Sequence, residues 1–365
     1  MNSRPESFVS RGHPCTKRRG LVVLAVIVGL PYIAMSACAA DRSADERALS
    51  DSPATVLARS DVVALPSAIA VLRDRLVLGD RADTLLNLLH SQSGRLLAKT
   101  GRRGEGPSEF KLITTLQEFP LGSGRVWAFD GALLRIDAYA VARADSFQYL
   151  TNSIRLQVPG RPIAVQWVDD TTLVAAGFFQ EGRLYLVRRD GTAIRPIGEI
   201  PLMSDKVPPL AAQQALQPSL AVRPFGNLAA VGSRYAARLD IYDLRTGTMK
   251  PAQVPLAFQP EMDIIRRGDL PIFVSNQQTR FGYIDVAATS DRIYALFSGR
   301  TRAGFPGRAN MGTDVHVFDW NGAFLGAVKL DWDVLRIAVD ASNSTLFAIS
   351  EEPDPAVLAY SLSKR

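Results

Sequence analysis

Three arginines stand at matching places in this chain, each just past an apolar strand that ends in a short polar step. They are Arg81 after Gly79-Asp80, Arg234 after Gly232-Ser233 and Arg300 after Ser298-Gly299. Arg302 and Arg308 follow among the glycines of the third such segment. Guanidinium forks sharing one rim can hold a carboxylate, phosphate or sugar acid through paired hydrogen bonds, and they stay charged at physiological pH. Glu181 and the pair Glu351-Glu352 are the acids expected on the opposite side of that rim. A second reading of the same arginines is structural: each pairs with a local acid such as Asp80, Asp83 or Asp314 and seals neighbouring units.

Other chemistry finds little support. Of the three histidines, only His90 and His316 lie beyond the first 37 residues, each inside an apolar strand, so neither a zinc site nor a Ser-His-Asp triad is expected. Gly104-Glu105-Gly106 is followed by no Gly-Lys-Ser/Thr, so it does not read as a phosphate loop. No catalytic residue, metal ligand or cofactor is therefore assigned. One enzyme class stays open, a calcium-dependent lactonase-like or related propeller hydrolase. Such an enzyme would draw on acids together with Asn152, Asn227, Asn276 or Asn310.

These side chains must be positioned by strands. An apolar strand, a polar kink and a second apolar strand recur at 68–79, 112–130, 162–177, 219–232, 283–299 and 336–350. Two further strands follow in most units, around glycine-containing turns such as Asp190-Gly191 and Asn321-Gly322. Six such repeats predict an all-β fold, a six-bladed β-propeller with four-stranded antiparallel blades, in which no blade can bury its own faces alone. The sixth unit lacks one strand, and Thr55–Val63 is left over at the front. That N-terminal strand is expected to close the last blade by pairing with Ala356–Leu362. The inner strands carry small and β-branched runs, as a tapering blade requires. Trp127, Trp167, Trp320 and Trp332 are expected between blades. The loops Gly101–Lys111, Pro201–Pro218 and Ala257–Arg280 are long enough to carry function.

The front of the chain reads differently. Arg11, Lys17, Arg18 and Arg19 precede an apolar core, Leu21–Ile33, and a small-residue site, Met35-Ser36-Ala37-Cys38. Residues 1–37 are expected to be an export signal, 38–53 a flexible tether and 54–365 the propeller. The site resembles the lipobox of bacterial lipoproteins, in which the cysteine after the cleavage point carries the lipid. Cys15 lies within the signal, so Cys38 is the single thiol left after cleavage. Cleavage after Ala39 or Ala40 by an ordinary signal peptidase is the competing reading. The net charge of +6 falls once the signal is removed, leaving 37 Lys and Arg against 35 Asp and Glu. With no basic patch interleaved with aromatics, nucleic acid is not an expected partner.

The segment Gly101-Arg102-Arg103-Gly104-Glu105-Gly106-Pro107-Ser108-Glu109-Phe110 resembles the inter-blade signature of NHL-type propellers and of bacterial six-bladed propeller lipoproteins. The stretches Tyr294–Arg300, Val317–Gly322 and Leu330-Asp331 resemble the TolB-like six-bladed families of exported bacterial proteins. The resemblances imply an exported protein, lipid-anchored at a bacterial envelope membrane and facing the periplasm or cell surface. Its expected role there is as a non-catalytic module for a small molecule, glycan or envelope protein. Units three and four lack the glycine-rich closure of NHL repeats, so no enzymatic role is carried over.

Substituting Cys38→Ala should abolish incorporation of labelled palmitate and move the protein from the membrane to the soluble fraction. Failure of the unsubstituted protein to take up palmitate would remove the lipoprotein expectation.

Overall fold

The computed structural model describes residues 48–50, 53–82, 84–142, 145–261 and 263–362. The chain divides into residues 1–43 and residues 44–365, and every described residue belongs to the second unit. The export signal, Cys38 and Asp83 lie outside the described residues.

Six antiparallel sheets follow one another around a ring. The first blade runs Pro66–Leu72, Arg75–Asp80, Thr84–His90 and Leu96–Arg103, and the second Ile113–Glu118, Arg125–Asp130, Arg135–Ala142 and Ser146–Arg155. The third is Arg161–Trp167, Thr172–Phe178, Leu184–Arg188 and Ala193–Ile197, and the fourth Pro218–Val222, Leu228–Ser233, Leu239–Asp243 and Met249–Pro251. The fifth blade comprises Tyr283–Ala288, Arg292–Phe297, Gly312–Asp319 and Phe324–Val334. Arg336–Val339, Thr345–Ser350 and Ala356–Ser361 form the sixth, and Thr55–Ala58 completes it. The closing register is antiparallel, with Thr55 opposite Ala359, Val56 opposite Leu358 and Ala58 opposite Val357. The six-bladed fold and its N-terminal closure are thus as the repeats predict.

Hydrophobic patterning explains why the sheets stack. Strand residues alternate sides, so each blade presents an apolar face to both neighbours. Six buried clusters result, one in each gap. Leu86, Phe110 and Tyr139 fill the first gap, and Trp127, Trp167 and Tyr185 the second. Ile69, Leu76, Phe347 and Ile349 fill the gap that the closing strand joins, together with its own Ala58 and the adjacent Val63. Trp127 and Trp167 meet at 4.7 Å between ring centroids, and Trp320 is buried with its indole N–H on the Thr289 carbonyl.

Two departures from the expected elements have local causes. Within the stretch expected as a tether, Ala48–Ser50 pairs in parallel with the outer strand of the fifth blade. The fourth strand of the fourth blade stops at Pro251, after three residues. Pro251 and Pro255 supply no N–H, and the Gln253 amide turns instead to the Gly322 carbonyl of the next blade.

The long connections are structured. Gly101–Lys111 ends in Glu109–Phe110, which pairs in parallel with Leu96–Arg103. Glu109 accepts the Gly106 amide at 2.9 Å and the Arg102 Nε at 2.7 Å. Gly104 has φ +156°, and a Cβ there would lie 1.9 Å from the Glu109 carboxylate, so only glycine permits the turn. Arg135, buried with Asp137 at 2.8 Å, donates to the carbonyls of Glu105, Gly106 and Glu109. The glycine-rich signature is held in place by that one guanidinium. The connection after the third blade carries a helix, Pro209–Ala215, anchored by the fully buried Arg183, which bonds Gln213 Oε1 at 2.5 Å and the Leu216 carbonyl at 2.6 Å. The connection after the fourth blade carries a hairpin, Asp263–Arg267 with Leu270–Val274, which leans on this helix through Phe273 N–H to Gln214 Oε1.

Two stability predictions follow from these contacts. A chain starting at Ala64 loses the closing strand and buried Val63, so its melting temperature, read by circular dichroism, falls by about 5–10 °C relative to a chain starting at Pro53. Arg183→Met leaves Gln213 and the Leu216 carbonyl buried without their donor and costs about 3 kcal/mol, read as a lowered urea midpoint.

Candidate functional site

Each blade's first strand lines the axis. The connections leading into first strands, and those joining second to third strands, share one face, here the upper face. The hairpins between first and second strands share the lower face.

The arginines singled out by sequence meet different fates on the upper face. Arg81 pairs with Glu351, so these two rim residues neutralise each other across the first and sixth blades. Arg300 pairs with Asp333 at 2.5 Å and stacks on Phe305 with its guanidinium carbon 4.6 Å from the ring. Arg308 reaches the same carboxylate at 3.3 Å. Arg302 donates to Ser275 at 3.2 Å and lies over Phe281. Glu181 is exposed on the turn of the third blade. Asp80, a suggested partner, instead accepts the amides of Ala64, Leu65 and Arg81, while Asp314 pairs with Lys329.

Arg234 is the exception. Its guanidinium makes no hydrogen bond or ion pair with any described residue, and it lines the axial cavity together with Arg161, Arg336 and Asp285. Its main chain is clamped between blades: its N–H donates to the Gln217 carbonyl at 2.9 Å and its carbonyl accepts the Gly282 N–H at 2.6 Å. A Cβ on Gly282 would lie 1.7 Å from the Ala236 carbonyl oxygen, so glycine is needed for this close approach. Arg234 and Arg302 also share a side pocket of about 380 Å³ beside the axis, lined in part by Tyr235, Gln277 and Asn310.

The axial cavity, about 260 Å³, is built by all six first strands. Arg161 and Arg336 open the first strands of the third and sixth blades. Arg336 donates to the carbonyls of Ser67 at 3.0 Å and Leu335 at 2.8 Å, which fixes it across the closing seam. Asp285 accepts the Ile337 N–H at 2.8 Å. Burial pushes the Asp285 carboxyl up, against the pull of Arg336, two backbone amides and Arg234. Burial pushes Arg234 down, and neighbouring Arg336 pushes it the same way. Three guanidiniums therefore face one carboxylate, an arrangement suited to holding an anion and ill suited to binding a cation.

Below it on the axis lies a larger cavity of about 590 Å³, lined by Phe119, Leu121, Trp167 and Phe225 among smaller apolar residues. Its charged groups are Glu118, Asp169, Asp170 and Arg223. Arg223 is already engaged, donating to the Ser290 carbonyl at 2.8 Å and lying 5.7 Å from the Trp320 ring.

Among the described residues, no three His, Cys, Asp or Glu side chains gather as a metal site. The asparagines considered for calcium are dispersed: Asn276 bonds Asp263, Asn227 lies in the lower mouth and Asn310 in the side pocket. His316 is buried and bonded through Nδ1 to the Tyr283 hydroxyl at 2.9 Å. Sequence reasoning missed Arg161, Arg336 and Asp285. The available signal was an arginine opening a first strand, in Arg161-Pro162-Ile163 and Arg336-Ile337-Ala338.

Comparison with curated protein sequences gives no match. Among solved structures, the chain is similar to a Bacteroides fragilis NCTC 9343 protein described as exported. The TM-score is 0.52 at 15% identity, over 87% of this chain and 98% of that one. It is also similar to the WD40 repeats of RRP9, with TM-score 0.50 at 11% identity over 87% and 99% of the two chains. At these identities the likeness is one of fold. The family model described as TolB-like 6-blade propeller-like matches residues 49–342, and with six blades closed by an N-terminal strand the chain belongs to that TolB-like family.

Proposed function

We propose that this protein is a non-catalytic binding module of the bacterial envelope that takes an anionic small molecule at the upper mouth of its channel. The observation that carries this reading is Arg234, a half-buried guanidinium without a partner among the described residues, in a cavity holding two further arginines and one carboxylate. An unneutralised charge withdrawn from bulk water is costly, and an anion placed there relieves the cost while gaining charge-assisted hydrogen bonds. Arg161 and Arg336 would flank the ligand, and Asp285 would tune the charge they present. The rim residues Arg302 and Glu181 would meet only its outer part, since Arg81, Glu351, Arg300 and Arg308 are occupied with one another or with Asp333. Export is supported by the family and by the description of the similar Bacteroides protein, and anchoring through Cys38 is the accompanying proposal.

Sulfate tests this reading, because its charge is constant across the useful pH range. Calorimetric titration should show one site, and Arg234→Gln should weaken it roughly tenfold or more. Asp285→Asn, which keeps an oxygen for the Ile337 amide, should tighten it. The pH dependence has a defined sign. Asp285 titrates above its ordinary value, so as pH falls through that raised value the opposing charge disappears and sulfate binds more tightly. The Asn variant should lack that dependence. Equal sulfate binding by the unsubstituted protein and Arg234→Gln would overturn the assignment.

A further inference from the structure

The upper and lower cavities adjoin along the axis, and Ile69, Leu116, Gln166, Val286 and Ile337 line both. Gln166 does not reach across the axis for partners, because its amide is satisfied between adjoining blades, donating to the Leu220 carbonyl at 3.2 Å and accepting the Val222 N–H at 2.8 Å. At mid-depth each blade contributes one aliphatic side chain to the lining: Ile69, Leu116, Ile163, Leu220, Val286 and Ile337. A methylene chain would be buried against these aliphatic groups as it passes the hydroxyls of Thr114, Thr115 and Ser219.

We infer that the ligand is an anionic amphiphile, with its head group at Arg234, Arg336 and Arg161 and its apolar tail running down the axis into the lower mouth. This deepens the anion-binding reading and rests on it. The ends of the passage fix the orientation. The upper mouth holds three guanidiniums and one carboxylate, whereas the lower mouth holds the three carboxylates of Glu118, Asp169 and Asp170 and the one guanidinium of Arg223. An anionic head is drawn to the first and repelled by the second. The larger volume also lies on the side of the tail, about 590 Å³ below against about 260 Å³ above. At the lower opening Phe225 is 84% exposed and holds φ +57° between Pro224 and Gly226, so a large apolar ring stands in water where a tail would emerge.

The probes are sulfate for the head site and straight-chain hexanoate, octanoate and decanoate below their micelle concentrations for the passage. Full-length mature protein is titrated with each by calorimetry, and quenching or shift of tryptophan fluorescence serves as a second readout because Trp167 lines the lower mouth. Affinity should rise roughly tenfold for every two methylenes added. Arg234→Gln should weaken decanoate and sulfate together. Ala287→Phe and Val339→Phe, which narrow the lower mouth away from Arg161, Arg234 and Arg336, should weaken decanoate at least tenfold and leave sulfate binding intact. Retained sulfate binding also shows that these variants are folded. Decyltrimethylammonium should bind far more weakly than decanoate.

The failures are distinguishable. Sulfate binding that depends on Arg234, with decanoate no tighter than hexanoate or insensitive to both narrowing variants, would overturn the amphiphile and leave the anion site standing. Equal binding of decyltrimethylammonium and decanoate would overturn the assignment of the head group. Absence of sulfate binding would overturn both readings.

Discussion

Ring closure is the constraint on which everything else in this molecule depends. A four-stranded blade is apolar on both faces and stable only between two neighbours, so an open row of six would leave two faces in water. The pairing of Thr55–Ala58 with Ala356–Ser361 ties one end of the row to the other. It brings Ala58 and Val63 into the cluster with Ile69, Leu76, Phe347 and Ile349. Asp80 reinforces the same seam by accepting the amides of Ala64 and Leu65, and Arg336 by donating to the Ser67 carbonyl. The residue that helps hold the seam is also a wall of the axial cavity. Closure and binding chemistry are thus built from overlapping parts.

Closure also dictates what the axis can be. Six first strands converge at narrow spacing, so their inward side chains must be small or aliphatic, and their polar neighbours must be satisfied sideways. Gln117 and Gln166 do this reciprocally, each donating to and accepting from the first strand of the next blade. Asp285 performs the acceptor half of the same task toward Ile337. Where Gln117 and Gln166 are neutral amides, the fifth blade carries a carboxylate. That difference puts a negative charge into the cavity beside Arg234 and Arg336.

The fold was legible because it rests on local, repeated signals. Period-two apolar patterning, turn glycines such as Gly191 and Gly322, and a missing strand at one end are all readable without knowing what lies across a gap. The contacts of Glu109 are local in the same way, since the Gly106 amide and the Arg102 side chain lie within seven residues of it. The site was less legible. Arg81, Arg234 and Arg300 look equivalent along the chain, yet the acid that neutralises Arg81 is 270 positions away, at Glu351. Arg135 and Asp137 could have been anticipated as a same-face pair two residues apart in a strand, as could Arg238 and Asp240. The carbonyls that Arg135 grips could not. Arg161 and Arg336 were missed because an arginine opening a strand ordinarily points to solvent.

The three look-alike arginines separate on the geometry of the adjoining blade. Arg81 faces the sixth blade, where Glu351 projects from the turn after the second strand, and Arg300 faces Asp333 at the end of its own blade's outer strand. Arg234 instead lies in the blade flanked by the two long connections: the helix-bearing segment precedes that blade, and the hairpin-bearing segment follows it. Its backbone is bonded to Gln217 on one side and Gly282 on the other. The side chain is left to the cavity at the axis, where Arg336 opposes it and Asp285 only partly compensates. Sealing a ring calls for pairing such a group, and substitution by an uncharged residue would remove the difficulty altogether. A guanidinium kept in the mouth without a carboxylate of its own makes physical sense when the missing negative charge arrives with the ligand.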